Sequence, residues 1–304
     1  MKAAAIDIGS NSILLTIAEP ESPRPIPLKI CFDEANVTGL SKGLAAGDKI
    51  TEAAQERAFK VLRHYREVLD QHRPEKFRVV GTEAFRRASN GEVVRQRISE
   101  ILGKEDDIIS GQEEAELSLW SVQKEHPDRT TKKIVFDIGG ASSELCLGSS
   151  QGIEERVSLK VGSVTLTEKF NLQEASSPEA ATSFVKSLID EAQWPRKVSR
   201  SIGIGVAGTM TSLMAIDLGL LHYNRDKVHG FSIPAADVRR YRDKMLSLSL
   251  KDRQNIVGLE ANRADVFGGG LIIASSICDY FGWSHVTCMD AGIRFGVLYD
   301  LLGL

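Results

Sequence analysis

Two rhythms of apolar and polar positions alternate along the chain. Short apolar runs bounded by turn residues predict strands over 3–8, 12–19, 76–80, 107–110, 133–138, 144–148, 153–160, 201–206 and 285–289. Between them, apolar positions three and four apart predict helices. The longest covers 51–73, with apolar side chains at 54, 58, 61, 62, 65, 68 and 69, Thr51 as N-cap and Pro74 as stop. Others are predicted over 92–102 (capped by Asn90, ended by Gly103), 112–124, 163–171, 178–193, 209–218 and 292–302. Pro20, Pro23, Pro25 and Pro27 exclude a central strand and mark a loop leading into an edge strand. Strands alternating with helices in this way predict an α/β protein.

The pattern repeats. Ile6-Asp7-Ile8-Gly9-Ser10-Asn11-Ser12 aligns with Phe136-Asp137-Ile138-Gly139-Gly140-Ala141-Ser142 at a constant offset of 130, each copy following an apolar strand and preceding another. This predicts a duplicated β-turn-β unit, one copy per domain. A Gly- and Ser-rich turn directs backbone N–H groups into one concavity, which suits phosphate oxygens. The aspartate before it repels phosphate unless it holds a cation or a metal-bound water. Asp7 with Gly9, Ser10, Asn11 and Ser12, and Asp137 with Gly139, Gly140, Ser142 and Ser143, therefore read as paired phosphate clamps. The plainer alternative is two glycine hairpins with a capping aspartate.

Length and composition narrow the class. The 304 residues exceed what one core usually fills and favour two domains. A 42% hydrophobic and 26% charged composition excludes fibrous and wholly disordered chains. A net charge of −3 gives no basic excess for nucleic acid. Cys31, Cys146, Cys278 and Cys288 are scattered, against a zinc site or disulfide framework and in keeping with a reducing cytoplasm. Asp7 falls too early for a signal peptide. The uncharged stretch 266–278 has 13 residues and three glycines, too short to span a bilayer. A cytoplasmic protein without membrane or nucleic-acid partners is expected.

Other motifs are less specific. No G-x-G-x-x-G opens a helix and no P-loop is present. Gly203-Ile-Gly205-Val-Ala-Gly208-Thr209 spans a strand-to-helix junction, where Gly208 and Thr209 offer a helix N-terminus to an anion or else serve close packing. Glu113 and Glu114 open a helix, as dipole partners commonly do. Arg86 and Arg87 follow a strand end, and one has the planar fork for phosphate. Gly268-Gly269-Gly270 reads as close helix packing. The six histidines share no spacing.

Taken in order, the segments at 4–12, 78–88, 108–117, 134–145, 161–170, 205–209, 263–273 and 292–303 resemble the exopolyphosphatase and guanosine-pentaphosphate phosphatase family. That family belongs to the actin/hexokinase/Hsp70-like fold group. The resemblance implies two ribonuclease H-like domains related by duplication, with the active site in the cleft between them. On this basis domain I is expected over 1–120 with 291–304, and domain II over 121–290. The second glutamate of the G-x-E-E motif falls on Glu114, implying the base that activates water. The D-I-G-G-x-S-x-E motif implies Asp137 and Glu144 as groups tied to Mg²⁺ and phosphate. The G-T-x-x-x-R motif implies Arg86, not Arg87, as a phosphate ligand. A homodimer is also implied.

Phosphoanhydride hydrolysis needs a positioned chain end, neutralised charge and an oriented water. These expectations favour an Mg²⁺-dependent exopolyphosphatase acting on inorganic polyphosphate, with guanosine pentaphosphate 5′-phosphohydrolase as the alternative. Cations to guide a polyphosphate chain are sought among Arg86, Arg87, Lys160, Lys169 and Arg294. A sugar kinase lacks a visible sugar-binding insertion. A silent binding sensor is suggested by the departures Ala141 and Ala207 from the family pattern. Phe295 is a third departure.

Overall fold

The chain divides into two units, residues 1–127 with 292–304 and residues 128–291. The structure, a computed structural model, describes residues 1–21, 27–173, 178–195, 198 and 201–304. Of the four loop prolines, Pro23 and Pro25 lie outside these residues, Pro20 closes a strand, and Pro27 just precedes the next. The division falls after Pro127, not at 120. Residue 120 lies within helix Gly111–Glu125, whose Leu117 packs with Phe295 and Leu298 in the first unit's core.

The first unit is built on five strands: β1 (Ala3–Ile8), β2 (Ser12–Pro20), β3 (Leu28–Val37), β4 (Lys76–Gly81) and β5 (Asp107–Ile108). Their order is β3-β2-β1-β4-β5, with β1–β2 and β2–β3 antiparallel and β1–β4 and β4–β5 parallel. The second unit carries β6 (Lys132–Ile138), β7 (Ser143–Ser149), β8 (Gly152–Leu159), β9 (Ser201–Val206), β10 (Phe231–Pro234) and β11 (His285–Cys288). Its order is β10-β11-β9-β6-β7-β8. Read from β8, this sheet repeats the first in order and strand direction, with β10 added antiparallel at the far edge. The 130-residue offset carries β1 onto β6 and Asp7 onto Asp137, so the repeat in the sequence is a repeat in topology.

Alternation fixes which way each residue of β1 faces. Ala4, Ile6 and Ile8 join the core under helices Glu52–His72 and Gly91–Leu102. Ala3 and Ala5 join the opposite core with helices Gly111–Glu125 and Ile293–Leu302. Asp7 follows Ala3 and Ala5 onto that second face. Each buried isoleucine contributes about 1.5–3 kcal/mol. A slip of one residue would drive all of them into the opposite core, where Ala3 and Ala5 leave room only for alanine, so the orientation of Asp7 is set by packing.

The final helix closes this face. Arg294 Nε donates to Thr16 Oγ1 at 2.9 Å and pairs with Asp33 at 3.3 Å, while Tyr299 donates to Glu125 at 2.9 Å. A Cβ on Gly296 would lie 2.4 Å from the Leu117 carbonyl oxygen, so glycine permits the two helices to touch. Asn90 does not cap its helix with its side chain. Its amide exchanges two hydrogen bonds with the Ile50 backbone, tying helix Gly91–Leu102 to the preceding layer.

In the second unit, Phe136, Ile138, Leu145 and Leu147 pack beneath helix Ala264–Phe281. This helix has 18 residues, more than the uncharged stretch suggested. Alone among the described helices it is long and apolar enough to cross a bilayer, yet 78% of it is buried inside the fold. It serves as the unit's core helix.

Candidate active site

Both turns close in the same way. Gly9 N–H donates to Ser12 O at 2.9 Å, and Gly139 N–H to Ser142 O at 3.0 Å. A Cβ on either glycine would crowd the carbonyl that it bonds, at 2.9 and 3.1 Å. Chain returning from the third strand braces each turn from behind. Ser41 N–H donates to Ser10 O, and Thr38 and Gly39 N–H both donate to Asn11 O. In the second unit Ser163 N–H donates to Gly139 O and Val164 N–H to Gly140 O. Gly162 sits so close to this turn that a Cβ would meet the Gly140 carbonyl carbon at 2.4 Å.

Helix Gly111–Glu125 starts directly after β5, at the carboxyl end of the parallel strands, and shares the sheet face of Asp7. Ser110 caps it by accepting from Glu113 N–H. Its two acids then part. Glu113 is half-buried and pairs with Arg78 at 3.2 Å, as an ordinary first-turn acid does. Glu114 is 4% exposed and accepts from Arg86 Nη1 at 2.9 Å. Arg86 also donates Nε and Nη2 to Glu83 at 3.0 and 2.6 Å and Nη1 to Ile109 O. Burial alone would lower the Arg86 guanidinium; Glu114 and Glu83 outweigh it and hold the pKa above its ordinary value. Arg86 therefore acts first as the counter-ion that holds Glu114. Glu83, 3% exposed, is the partner that sequence reasoning passed over. A glutamate in the first turn after G-T looks like a commonplace dipole partner.

In the second unit Asp137 and Glu144 face each other across the antiparallel β6–β7 pair, and Ser158 donates to Glu144 at 2.8 Å from β8. Directly opposed carboxylates repel, so this pair favours a cation. Among the described residues no three His, Cys, Asp or Glu side chains are grouped to hold a metal. Of the expected trio, Asp137 and Glu144 lie in the second unit and Asp7 in the first. Two adjacent carboxylates still suit Mg²⁺, which keeps several waters and uses substrate phosphates as ligands. The first unit lacks such a pair, because Leu14 stands opposite Asp7.

A model of the Ppx/GppA phosphatase family matches residues 17–304. The chain belongs to this family. It is 33% identical to a bifunctional 3-dehydroquinate synthase/phosphatase of Fusobacterium nucleatum, covering 98% of this chain and 46% of that protein. It is 29% identical to exopolyphosphatase 2 of Mycobacterium tuberculosis, covering 99% of both. A guanosine-5′-triphosphate,3′-diphosphate pyrophosphatase of Photobacterium profundum is 27% identical, over 98% of this chain and 59% of that protein. The chain thus spans about half the length of some curated relatives and the full length of others. The Ppx/GppA family member of Aquifex aeolicus superposes with a TM-score of 0.80 at 27% identity, covering 99% of this chain and 97% of that one.

Several residues singled out in this Ppx/GppA chain have other work. Ser143 Oγ donates to Val161 O at 2.7 Å and is fully buried, so its hydroxyl braces β7. Gly203 and Gly205 serve packing, since a Cβ would meet the Trp283 ring at 2.4 Å and Met210 and Phe136 at 2.5 and 2.6 Å. Gly208 lies under the Arg263 guanidinium. The run Gly268-Gly269-Gly270 packs against Leu246, Thr167 and Thr209, which seats Thr209 at the start of helix Ala207–Asp217. Ala207 reaches that start in the left-handed region at φ 63°. Lys169, itself exposed, lies over the Phe170 and Phe184 rings, and Arg294 is engaged by Asp33. Arg87 and Lys160 are exposed.

Proposed function

We propose that the chain is an Mg²⁺-dependent exopolyphosphatase, releasing orthophosphate from the end of inorganic polyphosphate. One observation carries this: a buried glutamate, Glu114, held by Arg86 at the strand ends where the first glycine turn opens. The Glu114 carboxylate takes the proton of the attacking water while turn N–H groups and hydroxyls hold the phosphates. Water's oxygen bonds to the terminal phosphorus, the anhydride bond breaks, and the electron pair leaves on the shortened chain. Arg86 and Glu83 orient Glu114. Asp137 and Glu144 would hold Mg²⁺, which spreads phosphoryl charge when bound. The full-length match to an exopolyphosphatase favours polyphosphate, whereas the pyrophosphatase relative is a longer protein. The four free cysteines suit a reducing cytoplasm; burial, then Asp279, pushes the Cys278 thiol up to about 12.

Phosphate release from long-chain polyphosphate, guanosine pentaphosphate and ATP, with and without Mg²⁺, tests this. Polyphosphate turnover that stops without Mg²⁺ is expected, and Glu114→Gln should lower kcat by at least ~100-fold. Brisk pentaphosphate turnover with no polyphosphate cleavage would instead make the chain a 5′-phosphohydrolase. Wild-type rates in Glu114→Gln would remove Glu114 as the base.

A further inference from the structure

Four buried side-chain oxygens without a hydrogen-bond partner gather at one place in the first unit: Ser10 Oγ, Asn11 Oδ1, Thr38 Oγ1 and Ser41 Oγ. Their residues are 4%, 8%, 2% and 1% exposed. The backbone brings them together, because Thr38 and Ser41 N–H donate to the carbonyls of Asn11 and Ser10. The loop that carries Thr38 and Ser41 is firmly seated. Leu40 is fully buried in the core, and Arg57 Nε donates to Thr38 O at 2.7 Å. Gly39 and Gly43 take the positive φ of 59° and 77° that its reversals require. Buried hydroxyls on a fixed frame without partners are rare in folded proteins. Three of these four groups can donate a hydrogen bond, and phosphoryl oxygens accept them.

We infer that Thr38 and Ser41, with Ser10 and Asn11, form a second phosphoryl subsite that grips the substrate chain away from the bond being cleaved. The position within the sheet gives the direction. Glu114 enters from the β5 side of the turn after β1, and this loop enters from the β3 side. Between them the first unit would hold successive phosphoryl groups of one linear chain, so the loop selects for chain length. The identity of the ligand rests on the proposed hydrolase, but occupancy of the subsite can be read without turnover.

The experiment is equilibrium binding of inorganic phosphate, pyrophosphate and tripolyphosphate with Mg²⁺ in the Glu114→Gln chain, alone and combined with Ser41→Ala or Thr38→Val. Loss of a hydrogen bond to a charged group predicts about tenfold weaker tripolyphosphate binding for each. Inorganic phosphate binding should be nearly unchanged. Unchanged tripolyphosphate affinity in both variants, with only a shifted Tm, would reduce the loop to a structural brace and overturn the subsite. Failure of Glu114→Gln to bind tripolyphosphate at all would overturn it as well. Tenfold weakening alongside a wild type that hydrolyses no phosphoanhydride would retain the subsite and defeat the hydrolase.

Discussion

Glu113 and Glu114 are chemically identical neighbours, and one residue of helical rotation gives them opposite fates. The first meets solvent and Arg78; the second is buried against Arg86. Removing that cation leaves Glu83 and Glu114 as two buried acids with a lost counter-ion. Arg86→Gln should cost roughly 2–3 kcal/mol, below the full loss for a buried pair because Arg86 keeps some solvent. It should also move the acidic limb of the kcat profile to higher pH, since a carboxylate without its cation holds its proton more tightly. A thermal melt and a pH–rate series check both. Ala207 offers the reverse experiment. A left-handed alanine costs about 1–2 kcal/mol, so Ala207→Gly should raise stability by up to ~1 kcal/mol after the added chain entropy. At this scale Asp137 was legible from the repeated turn, and Glu114, Arg86 and Glu144 only through the family motifs on which they fall. Glu83 and the Thr38–Ser41 hydroxyls were not, because their meaning lies in burial and in what fails to pair with them.

Glycines separate the elements that hold the fold from those that hold the site. Gly203 in β9 faces Trp283, and Gly270 in the long core helix faces Thr209. An added methyl at either place overpacks the second unit and should cost about 1–3 kcal/mol. Their functional effects should differ. Gly203→Ala is expected to lower Tm and leave the kcat of the folded fraction intact, whereas Gly270→Ala should also lower kcat by displacing Thr209. Equal kcat losses in both would mean that Thr209 has no special part. Most elements could be read from periodicity because their apolar faces are regular. Strand β10, Phe231–Pro234, could not; four residues ending in proline at a sheet edge give too little alternation. The Asn90 cap was misjudged for a related reason, as a cross-link to Ile50 some 40 residues away leaves no local signature.

The whole molecule is one chain that leaves its first unit at Pro127, completes a second, and returns at Gly292. The sequence repeat announced two domains, while the placement of the boundary depended on which core claims helix Gly111–Glu125. Because the returning helix covers Ala3, Ala5 and Val80, ending the chain before Gly292 should strip hydrogen-exchange protection from β1 and β4. Protection in 128–291 should persist, and its loss would show that the two cores are not separately stable. This topology also orders events during synthesis. The second unit is fully made while the first still lacks the helix that closes it. At about 5–20 residues per second the first unit waits roughly 10–35 s with one face of its sheet covered only by helix Gly111–Glu125. The segment that ends that wait carries Arg294, so the Asp33 and Thr16 side chains remain without that partner until the last stretch of this sequence has emerged.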